Sequence, residues 1–366
     1  MYNSDSPTIH IHTDLALEDT EQFPSADPKQ AGQGFRGIEV TKHRRFNDRI
    51  LITRVEVKTA EAAEAIGKPV GVYLTLEAED LREPEDDIVH AVAKELAKQL
   101  LLFFRHAGEK AAGASADLST APAERSTEES DSDKDSLPHR SSGHRLRSIL
   151  IIGLGNREIT ADALGPKVSE FLNATRHIKE RRGIGVSTLA PGVMAQTGME
   201  SADIIRGVVK ETQPDLLLVI DALASRSTSR FRTTIQLSDS GIAPGSGVGN
   251  HRTGITQETL GIPVLAIGVP TVVDAATIVS DAVDRMLAEL EAASKDRETR
   301  NSFEGFRGMS HVFLSFSPGE KYRLIQELLH PAIGRMDVTP KDIDETVQIF
   351  AELITEAIEM AVAAYE

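Results

Sequence analysis

The chain reads as an α/β protein whose mainly parallel sheet is covered by helices on both faces. Three observations carry that reading. Runs of branched apolar residues alternate with segments of helical period between residues 149 and 268. The runs Ile149–Ile152 and Leu216–Ile220 are apolar throughout, as strands buried on both faces require. Turn signals separate one run from the next, the pattern of successive strand and helix units.

Taken in order, residues 1 to about 34 are polar and turn-rich, interrupted by Ile9-His10-Ile11-His12-Thr13-Asp14-Leu15-Ala16-Leu17-Glu18. A tail of this kind is ordered only where something holds it. From Gly37 to Val57 the apolar residues fall mostly in twos around Phe46-Asn47-Asp48, which predicts a β-hairpin, and Val70 to Leu76 predicts a further strand. These form an N-terminal β-rich extension. Asp87 to Phe104 places Ile88, Ala91, Val92, Leu96, Leu100 and Phe103 at helical spacing. The stretch 106–147 then turns to Ala, Ser, Thr, Glu and Asp, too little apolar surface to offset about 1–2 kcal/mol of ordering entropy per residue, and is expected to be a disordered insertion.

After it come strand 149–152, a helix near 162–175, strand 186–190, a helix near 200–211, and strands 215–220, 232–237 and 263–268. Helices over Ala275–Ala292 and Ile343–Ala364 close the chain, the second announced by Thr339-Pro340-Lys341-Asp342 with Thr339 as N-cap. Nothing repeats at a fixed period, so one α/β domain is expected rather than a solenoid.

Composition narrows the function. The chain has 366 residues, of which 40% are hydrophobic, enough for a sizeable core. A formal charge of −16 speaks against nucleic acid as a partner, because phosphate binding needs clustered Lys and Arg. No run approaches the ~20 apolar residues of a membrane span, and Met1-Tyr2-Asn3-Ser4-Asp5 lacks the basic start of a signal peptide. A cytoplasmic location without membrane contact is the expectation. The absence of cysteine excludes disulfides, thiolate catalysis and Cys-based zinc sites.

Two acids stand out. Asp162 follows the run Ile149–Ile152 through the turn Gly153-Leu154-Gly155-Asn156, and Asp221 ends the run Leu216–Ile220. In an open α/β sheet ligands bind at the carboxyl ends of parallel strands, so two carboxylates delivered there are a candidate acid/base pair. Each also has a structural reading, Asp162 as a helix cap and Asp221 as an Asx turn.

Other motifs carry less. Gly153-Leu154-Gly155 begins like a dinucleotide fingerprint, but Glu158 stands where the third glycine belongs. Pro244 breaks the Gly-x-Ser-x-Gly elbow around Ser246, leaving Gly245, Ser246 and Gly247 as a possible substrate or oxyanion loop. Asp239-Ser240-Gly241 matches the loop of two-copy aspartic proteases, yet occurs once here and reads as a turn. His10 and His12 alternate as on a strand face, a weak metal signal.

Gly153-Leu154-Gly155-Asn156, Thr160 to Pro166, Pro191-Gly192-Val193-Met194, Ile220-Asp221-Ala222-Leu223, Pro244 to Asn250 and Thr259 to Asp274 together resemble the germination protease family of endospore-forming bacteria. The resemblance implies an atypical aspartic endopeptidase on a fold similar to that of the hydrogenase-maturation proteases (phosphorylase/hydrolase-like). It further implies a homotetramer in the spore core that begins the degradation of small acid-soluble spore proteins. By the same resemblance Asp162 and Asp221 are the catalytic pair, and Thr13-Asp14-Leu15-Ala16 is similar to the family's self-processing site. Residues 1–14 would then be a propeptide, cut between Asp14 and Leu15, ahead of a peptidase domain over 15–366. Ala161 departs from the family pattern, which has proline there. No cofactor is called for; a metal-dependent peptidase and a non-enzymatic peptide-binding protein are the alternatives.

Overall fold

The computed structural model describes residues 13–21, 37–117, 145–178, 183–243, 253–294, 316, 318–334 and 336–365. The first part of the chain forms α1 (Ala16–Glu21), β1 (Ile38–Arg45), β2 (Ile50–Val57), α2 (Ala60–Ile66), β3 (Gly71–Glu77) and α3 (Asp86–Asp117). Next come β4 (Ser148–Gly153), α4 (Leu164–Phe171), β5 (Gly185–Leu189), α5 (Met194–Thr197), α6 (Ser201–Thr212), β6 (Leu216–Ser225) and β7 (Thr234–Ser238). The chain ends with α7 (Gln257–Leu260), β8 (Val264–Asp274), α8 (Ala275–Ser294), α9 (Pro318–Ile333), β9 (Asp337–Val338) and α10 (Ile343–Tyr365).

Among the described residues one nine-stranded sheet runs in the order β1-β2-β3-β7-β8-β6-β4-β5, with β9 added on β8. The α/β class is as the sequence predicts. Parallel pairing joins β8, β6, β4 and β5. The sheet as a whole is mixed, because β7 lies antiparallel on β8 and β3 antiparallel on β7. The N-terminal hairpin is therefore one edge of the main sheet rather than an appendage. Its turn puts Phe46, Asn47 and Asp48 all at positive φ, before Ile50 pairs with Arg45.

Alternation along the central strands splits the core in two. Ile149 and Ile151 of β4 with Leu216, Leu218 and Ile220 of β6 face a large cluster closed by α3, α4 and α10. Leu150, Ile152, Leu217 and Val219 face the other side, covered by Ala202, Ile205 and Val209 of α6. On that second face, beneath the hairpin, α1 and α2 bury Ala16, Leu17, Ala62 and Ile66 against Val55, Val57 and Tyr73.

Two expectations change. Helix α3 runs on to Asp117 instead of ending near Phe104, so the start of the 106–147 stretch is helical backbone. Glu109-Lys110-Ala111-Ala112 supplies good helix formers that a purely compositional reading counts only as polar. Leu146, at its far end, is buried; residues 118–144 lie outside the described part. Thr339 does not cap α10, since its hydroxyl donates to the Thr271 carbonyl at 2.9 Å and ties the approach of the helix to β8. The helix begins at Ile343, with Thr346 N–H bonded to the Asp342 carbonyl at 3.1 Å.

Phe350 of α10 is 1% exposed in the large cluster. Phe350→Ala should cost about 3–5 kcal/mol, since the cavity collapses only in part. Urea unfolding checks this as a lowered midpoint at unchanged slope.

Candidate active site

Strand β4 ends at Gly153, opposite Ile220 of β6, and the chain turns off with Leu154 N–H bonded to the Ile220 carbonyl at 2.8 Å. Gly155 makes the turn at φ +114°, and a Cβ there would lie 1.9 Å from the Asp162 carbonyl oxygen. Only glycine lets the loop fold back so closely. Asp162 ends a 3₁₀ turn, Thr160–Asp162, ahead of α4, and its carboxylate accepts the Asn156 N–H at 2.7 Å. It closes the loop rather than capping the helix, whose N-cap is Ala163.

Asp221 lies inside β6, not beyond its end. The strand passes the point where β4 stops and continues to Ser225 along β8 alone. An acid after five apolar residues reads as a terminator, but one edge of β6 remains paired there. Asp221 is 7% exposed and accepts the Ala222 N–H at 2.9 Å. It is directly opposite Gly268 of β8, which is directly opposite Gln236 of β7. Directly opposed residues share a sheet face, so the acid and the amide stand on one face with no side chain between their strands. Leu223 leans over the gap, where a Cβ on Gly268 would meet it at 2.3 Å.

Above this row is a cavity of about 140 Å³ lined by Asp14, Lys68, Tyr73, Asp221, Leu223, Gln236, Ser238, Gly241 and Gly268, among others. Asp162 is not among its lining residues; the 3₁₀ turn that carries it packs against β6 and β8.

The chain's own N-terminal segment is seated here. Asp14 N–H donates to the Ala224 carbonyl at 2.9 Å, and the Ala224 N–H donates to the Asp14 carboxylate at 2.8 Å. Lys68 Nζ donates to the Thr13 carbonyl at 2.7 Å. The Gln236 amide donates to the Asp14 carbonyl at 3.1 Å and accepts the Ala16 N–H at 2.8 Å. Leu15 and Leu17 are buried, each worth about 1.5–3 kcal/mol relative to exposure.

Two acids anchor the helix α1 behind it. Glu18 accepts from Arg226 N–H at 2.6 Å, Ser227 N–H at 3.0 Å and the Thr13 hydroxyl, with Arg230 3.9 Å away. Burial still pushes its carboxyl above the usual range, against those partners. Asp19 lies 3.4 Å from Lys68, and burial, outweighing that cation, pushes it up to about 7.

The other sequence candidates separate. Asp14 lines the cavity and Leu15 is buried beside it in the chain, whereas Gly245, Ser246 and Gly247, like His10 and His12, lie outside the described residues. Asp239 is structural: its carboxylate accepts the Val72 N–H at 2.7 Å and finishes the pairing of β3 with β7. Among the described residues no three His, Cys, Asp or Glu side chains converge to hold a metal, and no helix is long and apolar enough to cross a membrane. Lys68, Gln236 and Gly268 do not stand out in the sequence. The available signal is Thr234-Ile235-Gln236-Leu237-Ser238, whose polar residues alternate onto one face of a strand that is buried throughout.

Fold and cavity define an α/β protein with an acid-lined cleft along its parallel strands, the place where such sheets bind ligands. A family model described as germination protease matches residues 13–115 and 135–310. The germination protease of Caldanaerobacter subterraneus subsp. tengcongensis is 38% identical over 361 residues, covering 96% of this chain and 94% of that protein. That of Clostridium tetani is 37% identical over 361 residues, covering 96% and 95%. That of Bacillus cytotoxicus is 34% identical over 386 residues, covering 96% and 93%. The chain belongs to the germination protease family and is a spore protease. Among solved structures, the [NiFe] hydrogenase maturation protease HycI of Thermococcus kodakarensis KOD1 is 22% identical over 34% of this chain and 75% of that one, at a TM-score of 0.25, too slight a likeness to bear on the site.

The raised carboxyls set a pH dependence for the seated segment. An acid whose folded value lies above its unfolded value stabilises the fold fully below the unfolded value and ceases to do so as pH rises through the folded one. For Asp19 that window runs from 3.8 to about 7, and the shift of Glu18 has the same sign. Seating of residues 13–21 should therefore tighten on acidification and loosen above neutrality. Hydrogen exchange of the Leu15 to Glu21 amides checks this; protection that rises with pH, after correction for intrinsic exchange, contradicts it.

Proposed function

We propose that the chain is an endopeptidase that initiates the degradation of small acid-soluble spore proteins during germination, and that it is made as a zymogen that cuts itself between Asp14 and Leu15. One observation carries the reading: Asp14, the residue before the expected cut, lines the same cavity as Asp221 and is hydrogen-bonded on both its backbone and its side chain. A segment seated there also occupies the space a substrate would need. Activity toward other chains then waits on its removal, and acid favours the seated state in which the cut is made.

In this reading Asp221 and Asp162 act as an atypical aspartic pair. One carboxylate takes a proton from water as the water attacks the scissile carbonyl, and the other, protonated, gives its proton to the departing side. General acid and base assistance supplies about 10² to 10⁴ in rate. The working form is a homotetramer in the spore core, with no cofactor.

Asp162→Asn and Asp221→Asn should each fold, keep Met1 as amino terminus, and lose at least about 10²-fold in cleavage of a peptide containing Thr-Glu-Phe-Ala. Near-wild-type cleavage by either variant removes that residue from the mechanism. Chelation followed by metal readdition separates the competing metallopeptidase reading, because only that reading predicts loss and recovery.

A further inference from the structure

The geometry points to Gln236 as the oxyanion donor for cleavage of the Asp14–Leu15 bond, and as the clamp that holds this peptide in register over Asp221. The assignment rests on reading that bond as the one the chain cuts. The Gln236 carboxamide grips the chain on both sides of Leu15: Nε2 donates to the Asp14 carbonyl oxygen at 3.1 Å, while Oε1 accepts the Ala16 N–H at 2.8 Å. One partner is an acceptor and the other a donor, so only one orientation of the amide satisfies both. The carbonyl it touches is that of the scissile bond itself.

The sheet places this donor opposite the acid. Asp221, Gly268 and Gln236 are successive cross-strand partners on β6, β8 and β7. Strands lie about 4.8 Å apart, so the Asp221 and Gln236 backbones are separated by roughly 10 Å. The Leu223 side chain covers Gly268 between them, and the peptide that the Gln236 amide grips lies at the cavity that Asp221 also lines. Gln236 is 8% exposed, in a setting where a fixed dipole acts more strongly than in water. Asp14 is held independently of it, through both backbone groups of Ala224, and Lys68 grips the preceding carbonyl.

In the chemical step the oxygen of water bonds to the Asp14 carbonyl carbon, and the carbonyl electron pair moves onto its oxygen, where the Gln236 N–H meets it. When the tetrahedral species collapses, the bond from that carbon to the Leu15 nitrogen breaks. The nitrogen leaves with the proton taken from water by way of the carboxyl pair, and Asp14 keeps the new carboxyl group. Gln236 exchanges no proton; it stabilises charge on an oxygen it already contacts.

Removing one oxyanion donor typically costs 10² to 10³ in rate. In the full-length chain, Gln236→Met should slow the appearance of a Leu15 amino terminus by about 10²-fold or more, monitored by mass spectrometry. Gln236→Glu separates chemistry from docking. Its carboxylate still accepts the Ala16 N–H but donates nothing until protonated, so its rate relative to wild type should climb as pH falls from about 8 to about 4. A relative rate that stays low and flat across that span makes Gln236 a structural contact and overturns the assignment. So does cleavage by Gln236→Met at the wild-type rate. If wild-type chain never yields the Leu15 terminus, the zymogen reading itself fails and takes this assignment with it, an outcome distinct from a cutting wild type with equally fast variants.

Discussion

Strand β8 is paired in opposite senses on its two edges, and the site depends on that. Parallel pairing with β6 fixes the height of Asp221, while antiparallel pairing with β7 fixes that of Gln236. Because Gly268 is the residue held between them, their alignment is a matter of backbone hydrogen bonds rather than of side-chain packing. A one-residue slip on either edge would turn one of the two side chains to the opposite face. The apolar runs on β4 and β6 hold the register by burying alternate residues in separate clusters on the two faces.

The seated segment depends on a different balance. Burying a carboxylate is costly unless its oxygens are satisfied. Glu18 meets two backbone N–H groups at the end of β6, the Thr13 hydroxyl, and Arg230 at longer range. Arg230 is shared with Glu21, at 2.8 Å, and with Glu77. The same residues that bury the segment therefore bind it to the strand carrying Asp221. Its occupancy is sensitive to charge because its own buried acids, Glu18 and Asp19, are held beside two cations, Arg230 and Lys68.

Much of this architecture is legible in the sequence because it is local. Uninterrupted apolar runs predict β4, β6 and β8, and period-two spacing around Phe46-Asn47-Asp48 predicts the hairpin. The pairing of β7 with β3 and β8 is not legible, since nothing within Thr234–Ser238 says which strands will flank it or in which sense. For that reason Asp221 is visible and Gln236 is not: one follows a conspicuous run, and the other matters only through partners on a distant strand and in the N-terminal segment. Asp221 reads as lying at a strand end because a polar residue after an apolar run resembles a stop, whereas β8 carries the strand onward. Lys68 follows Gly67, the left-handed C-cap of α2, and its role depends on where Thr13 and Asp19 come to rest.

The burial of α1 bears on reversibility. Leu15 and Ala16 are 0% exposed and Leu17 is 3% exposed, so the downstream half of a bond cut at Asp14 is part of the core and does not diffuse away. Its new amino group would stay beside the new carboxyl group, at the high effective concentration of two ends fixed on one scaffold, and resealing would compete with escape. What makes such a cut permanent is departure of the upstream residues, released from Ala224 and Lys68. In a chain cut there, the committing event would be a dissociation rather than the breaking of the bond.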